Sequence, residues 1–338
     1  MKRRNCVIGI AAAPLATTFA TTLATPARAQ QALPLLAILS PSSPRNEQVM
    51  RNVNLPFKQA LLKLGYEPGR NIAIVERFAD NDEARWPALA AELVALRPQV
   101  LFTNTSNAAT VAARATRTIP IVVGPAGEAT LLELAGGSLA RPTTNVTGFV
   151  LGSAELDAKC ISLLIEAVPA ARRIGVLLNP RNPNQQRHSQ ALGRALAGLG
   201  KTLVRLESGG LADIDASLAS ASAQRIDAIF VADDAHIAGN AEVRLRVLRY
   251  AAAVAIPIAS SNQSLAREGG LLSMGASIQE LAARAAGYVY KILKGARPSD
   301  LPIELPTVLS VIVNRKTAKA LGVAIPAAVL ARADEVIE

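Results

Sequence analysis

The densest set of chemically capable side chains is Asp233, Asp234 and His236, directly after the apolar run DAIFVAD (227 to 233). Carboxylates at the end of a strand either cap the following turn or hold a cationic group such as an α-ammonium. A second set, Thr103, Asn104, Thr105, Ser106 and Asn107, stands between the strand-like VLFT (100 to 103) and the helical NAATVAARAT (107 to 116). One helix cap needs one such residue, whereas five together can form a polar wall. The free N–H groups at the helix start then favour an anionic group. An acidic cluster facing an amide-rich wall suits a zwitterion.

Residues for catalysis are missing. The sequence has no G-x-S-x-G elbow, no G-x-G-x-x-G after the first strand, no phosphate-cradling G-x-x-x-x-G-K-S/T and no H-E-x-x-H. Two histidines cannot build a dense metal cluster without carboxylates brought from a distance, so neither metal nor cofactor is expected. His188 falls at a polar helix start and reads as solvated, while His236 sits where a second lobe would present ligand contacts. Aromatic residues are 3% of the chain, which disfavours a sugar site built on stacking. Trp86, in ARWPALAAELV, reads as a packing residue.

The first residues have Lys2, Arg3 and Arg4, an apolar run, and then Ala27-Arg28-Ala29, the layout of a cleavable export signal over residues 1–29. Cleavage before Gln30 leaves Cys160 as the single cysteine, so no internal disulfide is expected, and its amphipathic helical setting makes it a small core residue. The formal net charge of +10 includes four positive residues of the signal, leaving +6. The arginines are scattered, and no helix-turn-helix or zinc pattern accompanies them. The charge therefore reads as a solvated surface and not as a nucleic-acid footprint.

Strands alternate with amphipathic helices throughout. Strand candidates are 33–39, 72–78, 100–103 and 119–124, then 173–179, 202–207, 227–233, 256–261 and 270–275. Helix candidates include 45–65, 84–97, 107–116, 185–200 and 242–254. This alternation implies parallel sheets of right-handed β-α-β units. The series runs twice, each half with an I-P-I strand (IPIVVG, IPIASS), around a Gly/Thr/Ser-rich break near GGSLARPTTNVTGFVLGS. The expected fold class is α/β: two doubly wound parallel-sheet lobes, one over 30–148 and one over 149–274, facing across a cleft lined by strand ends. At the break, Asn145-Val146-Thr147 reads as a turn and strand start, not a glycosylation site.

The strings LLKLGYEPGRNIAIVERFADND, WPALAAELVALRPQVLFT, AARATRTIPIVV, GSLARPTTNVTGF, GGLLSMG, YVYKILKGARPSDLPIELPT and VIVNRKTAKALGVAIPAAVLARADEVIE together resemble the bacterial ABC-transporter substrate-binding protein family that includes tryptophan- and tyrosine-binding lipoproteins. The resemblance runs from about residue 35 to 338. It implies a periplasmic, monomeric type I-like binding protein without catalytic activity. Such a protein captures a small polar solute, amino-acid-like or an organic acid, and delivers it to an inner-membrane ABC permease. A sensory role with a membrane receptor is the alternative, and an enzyme on the same scaffold is the more remote one.

Carried over, the resemblance implies ligand contacts at Ser40 and Ser42, at Thr103 to Asn107, at Asn179 and Asn182, at Asp233 and Asp234, and at Ser260, Ser261 and Asn262. The family often has G-x-x-D-P-V after the I-P-I-V strand. This chain has GPAGEATLLE, which makes Glu128 the candidate substitute for that aspartate. Many relatives have Tyr where this chain has Met274, which points to a different or smaller ligand. Hinge strands are expected at NVTGFVL, GLLSMGAS and LPTVLSVIV. Segments near 275–300 and 305–338 are expected to return to the first and second lobe.

Overall fold

Two mainly parallel sheets carry the chain, each covered on both faces, which is why their central strands read as unbroken apolar runs. The computed structural model describes residues 33–338 other than 81 and 235, so the export signal expected over 1–29 lies outside the described residues. The first sheet has the order β2-β1-β3-β4-β5, with β1 Leu35–Ser40, β2 Ala73–Phe78, β3 Val100–Thr103, β4 Ile121–Gly127 and β5 Val146–Gly152, all parallel. Leu36, Ile38, Val100, Phe102 and Val122 face one core, and Ala37, Leu39, Leu101, Ile121 and Val123 face the other. That is the two-residue alternation of a strand applied to two buried faces. The edge strand β2 is only half-buried and carries Glu76 and Arg77, charges that discourage pairing with another chain.

The second sheet has the order β12-β11-β10-β9-β8-β6-β7. Its strands are β6 Arg173–Leu178, β7 Thr202–Glu207, β8 Ala228–Val231, β9 Ile258–Ser260, β10 Leu272–Gly275, β11 Ser310–Asn314 and β12 Glu335–Ile337. Within it, β7-β6-β8-β9-β10 repeats the first sheet's order, and β11 adds antiparallel to β10. Each lobe thus has its strand order reversing beside its first strand, β1/β3 and β6/β8. Open α/β sheets place ligands at that point, outside the strands' carboxyl ends.

Helices α1 Glu47–Val49, α2 Leu55–Lys63, α3 Trp86–Ala95, α4 Ser106–Ala115 and α5 Glu128–Leu134 belong to the first lobe. Helices α6 Ala154–Ala167, α7 Pro183–Gly198, α8 Ile214–Ala223, α9 Ala241–Ala253 and α10 Gln263–Arg267 belong to the second. Helix α11, Ile278–Leu293, packs its apolar stripe of Leu281, Ala285, Tyr288 and Val289 into the first lobe's core with Phe57 and Phe149. The final α12 Arg315–Ala320 and α13 Ala327–Leu330 close the second lobe, where Ala318 and Val329 join its core.

The chain passes between lobes three times, near 152–154, 275–278 and 305–309. The first of these places the expected boundary at 148/149 inside β5. Before the third passage the chain still pairs with β5, through Val150 N–H to Glu304 O at 2.8 Å and Glu304 N–H to Gly148 O at 3.1 Å. Gly275 stands at the second passage because a Cβ there would overlap the Ser261 carbonyl.

The helix expected over 45–65 is interrupted by a π-helical turn, Met50–Asn54. Pro56 follows it, lacks an N–H and cannot close an ordinary i→i−4 bond, so the ladder widens just upstream. The turn carries Val53, which faces the space between the lobes.

Candidate functional site

The carboxyl ends of both sheets enclose a cavity of about 180 Å³ between the lobes. Its first-lobe wall includes Ser42, which follows β1, and Asn104, Thr105, Ser106 and Asn107, which follow β3. Thr105 caps α4 by accepting from Ala108 N–H at 3.3 Å, yet its backbone sits at φ 117°, ψ 151°. That conformation belongs almost solely to glycine, and such strain concentrates at ligand sites. Thr103 lies beneath, fully buried, donating to Leu39 O at 2.8 Å. Ser40 is likewise buried, its hydroxyl 3.5 Å from that of Ser42. These two position the wall without lining the cavity.

The second-lobe wall is built on carboxylates. Asp234 accepts from Asn182 Nδ2 at 2.8 Å, from His236 N–H at 2.9 Å and from Asn179 Nδ2 at 3.3 Å, so its oxygens are engaged by three donors. Asp233 accepts one side-chain bond, from Asn262 Nδ2 at 2.8 Å. Burial, with Asp234 and Asp157 nearby, pushes its carboxyl up to about 6 against Asn262's opposing bond. Asn182 and Asn262 also cap α7 and α10, which locks their side-chain amides in place. Asn179 and Ser260 lie behind the wall, with Ser260 donating to Val231 O at 2.7 Å. Ser261 is turned away to Asp157, at 3.1 Å.

Four further residues are placed differently from their expected roles. Glu128 is the half-buried first residue of α5, outside the cavity lining. Met274 packs against the second lobe's core instead of facing the cavity. His188 is not solvated as expected: it is 8% exposed, its Nδ1 lies 2.8 Å from Asp157 Oδ2, and its ring lines the cavity. Trp86 packs against Ala79 and Ala108 but also forms part of the cavity wall, with its Nε1–H buried and unpartnered. Cys160 is fully buried in the second core, where burial pushes its thiol far above the ordinary range.

The reading of the sequence missed Asp157, Asn184 and Gln185. Asp157 follows Leu156 and precedes Cys160, Ile161 and Leu164 on the buried stripe of α6, and a lone acid on an apolar stripe was the available signal. Asn184 reaches across to the first lobe. It donates to Ser106 Oγ at 3.0 Å and Thr130 Oγ1 at 2.8 Å, and it accepts from Thr130 N–H at 2.9 Å. His236 also crosses, its Nε2 3.1 Å from Glu83 Oε1. Val49, Val53, Pro125, Leu151 and Ile278 supply apolar walls. Among the described residues no lysine or arginine lines the cavity. Among the described residues no group of three His, Cys, Asp or Glu could hold a metal ion.

Ser106 serves both lobes, since its Oγ accepts from Gly127 N–H at 3.0 Å and from Asn184. Ser106→Leu is expected to abolish solute binding in calorimetry while lowering the melting temperature little. Loss of the folded circular dichroism signal would instead make Ser106 only a structural residue.

The model of one family, described as ABC transporter substrate binding protein, matches residues 47–337. The chain belongs to this family. An ABC transporter substrate-binding protein is a binding protein and not an enzyme. A tyrosine-binding protein of Clostridioides difficile (strain R20291) is 26% identical over 268 residues, 78% of this substrate-binding protein and 75% of the relative. A conserved domain protein from Vibrio cholerae superposes with TM-score 0.81 at 26% identity, covering 90% and 99% of the two chains. The ABC domain of a Streptococcus pneumonia protein in complex with L-Trp also gives 0.81, at 22% identity and 90% and 100% coverage. The fold of this substrate-binding protein is the type I periplasmic binding fold. No helix among the described residues is long and apolar enough to cross a membrane.

Proposed function

We propose that the protein is the exported, monomeric capture component of an ABC importer, and that its lobes close over a small amino-acid-like solute and present it to an inner-membrane permease. The observation carrying the solute class is Asp233, a partly buried, cavity-lining carboxylate with a single side-chain donor, in a cavity with no lysine or arginine among its described lining residues. A solute ammonium would supply a cation inside the cavity itself. The Ser106 and Asn107 N–H groups at the start of α4 suit a solute carboxylate, and the apolar walls suit a hydrocarbon or aromatic body. The tyrosine and L-Trp names of the relatives support the same class. The three inter-lobe passages are the hinges, and closure shifts the population toward the form that a permease recognises.

The test is a thermal-shift panel of amino acids, amines, organic acids, purines and sugars. A bound solute at a hundredfold its Kd adds about 2.7 kcal/mol. An amino-acid hit with no loss of solute supports the proposal, and turnover of the hit or silence across the panel contradicts it.

The carboxylate also sets a pH dependence. Asp233 must ionise to meet an ammonium, and it binds its proton with a pKa of about 6 when the lobes enclose it. Affinity for the amine is therefore expected to be level above pH 7 and to fall about tenfold per unit below pH 6. Calorimetry from pH 5 to 8 checks this, and a flat profile would remove Asp233 from the site.

A further inference from the structure

Within the cavity, one ring nitrogen is left over. His188, on α7, commits Nδ1 to the Asp157 carboxylate, and the other Asp157 oxygen is held by the Ser261 hydroxyl. All three residues are more than nine-tenths buried. Nε2 of the same ring has no protein partner among the described residues, while the ring lines the cavity together with Asp233. Such a carboxylate–imidazole pair fixes ring orientation and tautomer, and the tautomer that donates Nδ1–H to Asp157 has its lone pair at Nε2. The Ser261 hydroxyl is spent on Asp157 and not on the imidazole, so the trio activates no nucleophile.

Charge decides what meets that lone pair. The second-lobe side of the cavity holds Asp157, Asp233 and Asp234, with His236 as the other titratable group and Asn184, Gln185 and Asn262 as neutral neighbours. Arg244, outside the cavity lining and paired with Glu268, offsets part of the Asp233 charge, and no lysine or arginine among the described residues lines the cavity itself. An arriving carboxylate would meet net repulsion there, whereas a group bearing several N–H bonds finds acceptors at His188 and at Asp233 together.

We propose that His188 is a specificity-determining residue of this cavity: its Nε2, aimed by Asp157 and Ser261, accepts an N–H of a solute amine that also pairs with Asp233, so that amines are taken and the matching deaminated acids are refused. This rests on the solute-binding reading above and excludes organic acids from it.

Two substitutions separate the ring's two nitrogens. Asparagine places a donor near Nδ1 and deletes Nε2, while glutamine places its side-chain amide near Nε2. The probes are L-tyrosine, tyramine, which keeps the amine alone, and 3-(4-hydroxyphenyl)propanoate, which keeps the acid alone, titrated calorimetrically at pH 7.5. Wild type is expected to bind L-tyrosine and tyramine and to bind the acid about 100-fold more weakly or not at all. His188→Asn is expected to lose about tenfold or more for both amines without gaining or losing affinity for the acid, and His188→Gln to recover part of that loss.

Equal loss for amine and acid, no loss with His188→Asn, or wild-type preference for the acid would each overturn the role of His188. If wild type binds only a sugar from the wider panel, the amine-selective role falls while solute binding stands. If it binds nothing, both fall.

Discussion

Asp233→Asn is expected to make the ligand-free protein more stable and unable to bind its solute. Desolvation, with Asp234 and Asp157 nearby, holds the wild-type carboxyl at a pKa of about 6, against an ordinary value near 3.9. The folded state thus holds the proton more tightly than the unfolded chain does. The sign follows: stability from this group is complete below about pH 4, declines as pH rises to 6, and at pH 7 is lower by at most about 3 kcal/mol.

Asparagine keeps an oxygen to accept from Asn262 Nδ2, carries no charge and escapes that loss. The melting temperature at pH 7 is expected to rise by about 2–6 °C, and the difference between variant and wild type to vanish at pH 4. Solute affinity should fall by about 100-fold or more, since the ammonium loses its charge partner in a desolvated site. A variant that is less stable at pH 7, or that binds as wild type does, would mean that the carboxylate is there for the fold.

The second large effect lies outside the solute's own contacts. Asn184 makes three hydrogen bonds to the first lobe, and each requires the lobes to meet. At about 1 kcal/mol net for each bond, Asn184→Ala should disfavour the closed form by about 2–3 kcal/mol and weaken solute binding about 30- to 150-fold. Thermal stability without solute should fall by no more than the same amount, because the three bonds stabilise only the closed arrangement of the lobes. Gly127→Ala should act alike, since a Cβ at that position would lie 2.5 Å from the Asn184 amide. Small-angle scattering checks both: the variants should keep the larger radius of gyration when solute is added. Compaction equal to that of wild type would show that Asn184 is no latch.

The sheets were legible because parallel strands buried on both faces leave apolar runs such as VLFT and IPIVV bounded by turn residues. The short β12 left no such mark, and β11 begins within LPTVLSVIV, expected as a hinge strand, and pairs antiparallel inside the second sheet. The first-lobe wall was legible for a local reason, five polar residues at one strand end. His188 was misread because its helical neighbours, Gln186, Arg187, Ser189 and Gln190, are polar. Its actual partner, Asp157, is 31 residues away on another helix. Asn184 escaped notice for the same reason, its partners lying 54 and 78 residues distant. Glu128 and Met274 were inferred from the family's pattern, which records residue types and not which face of an element they take.

A crystal structure of the protein grown with the strongest amino-acid hit of the panel tests the central claim most directly. The account predicts the solute between the lobes, its ammonium within hydrogen-bond reach of Asp233 and His188 Nε2. A solute bound on either lobe's outer surface, or in the cavity with its carboxylate against Asp233, would contradict it.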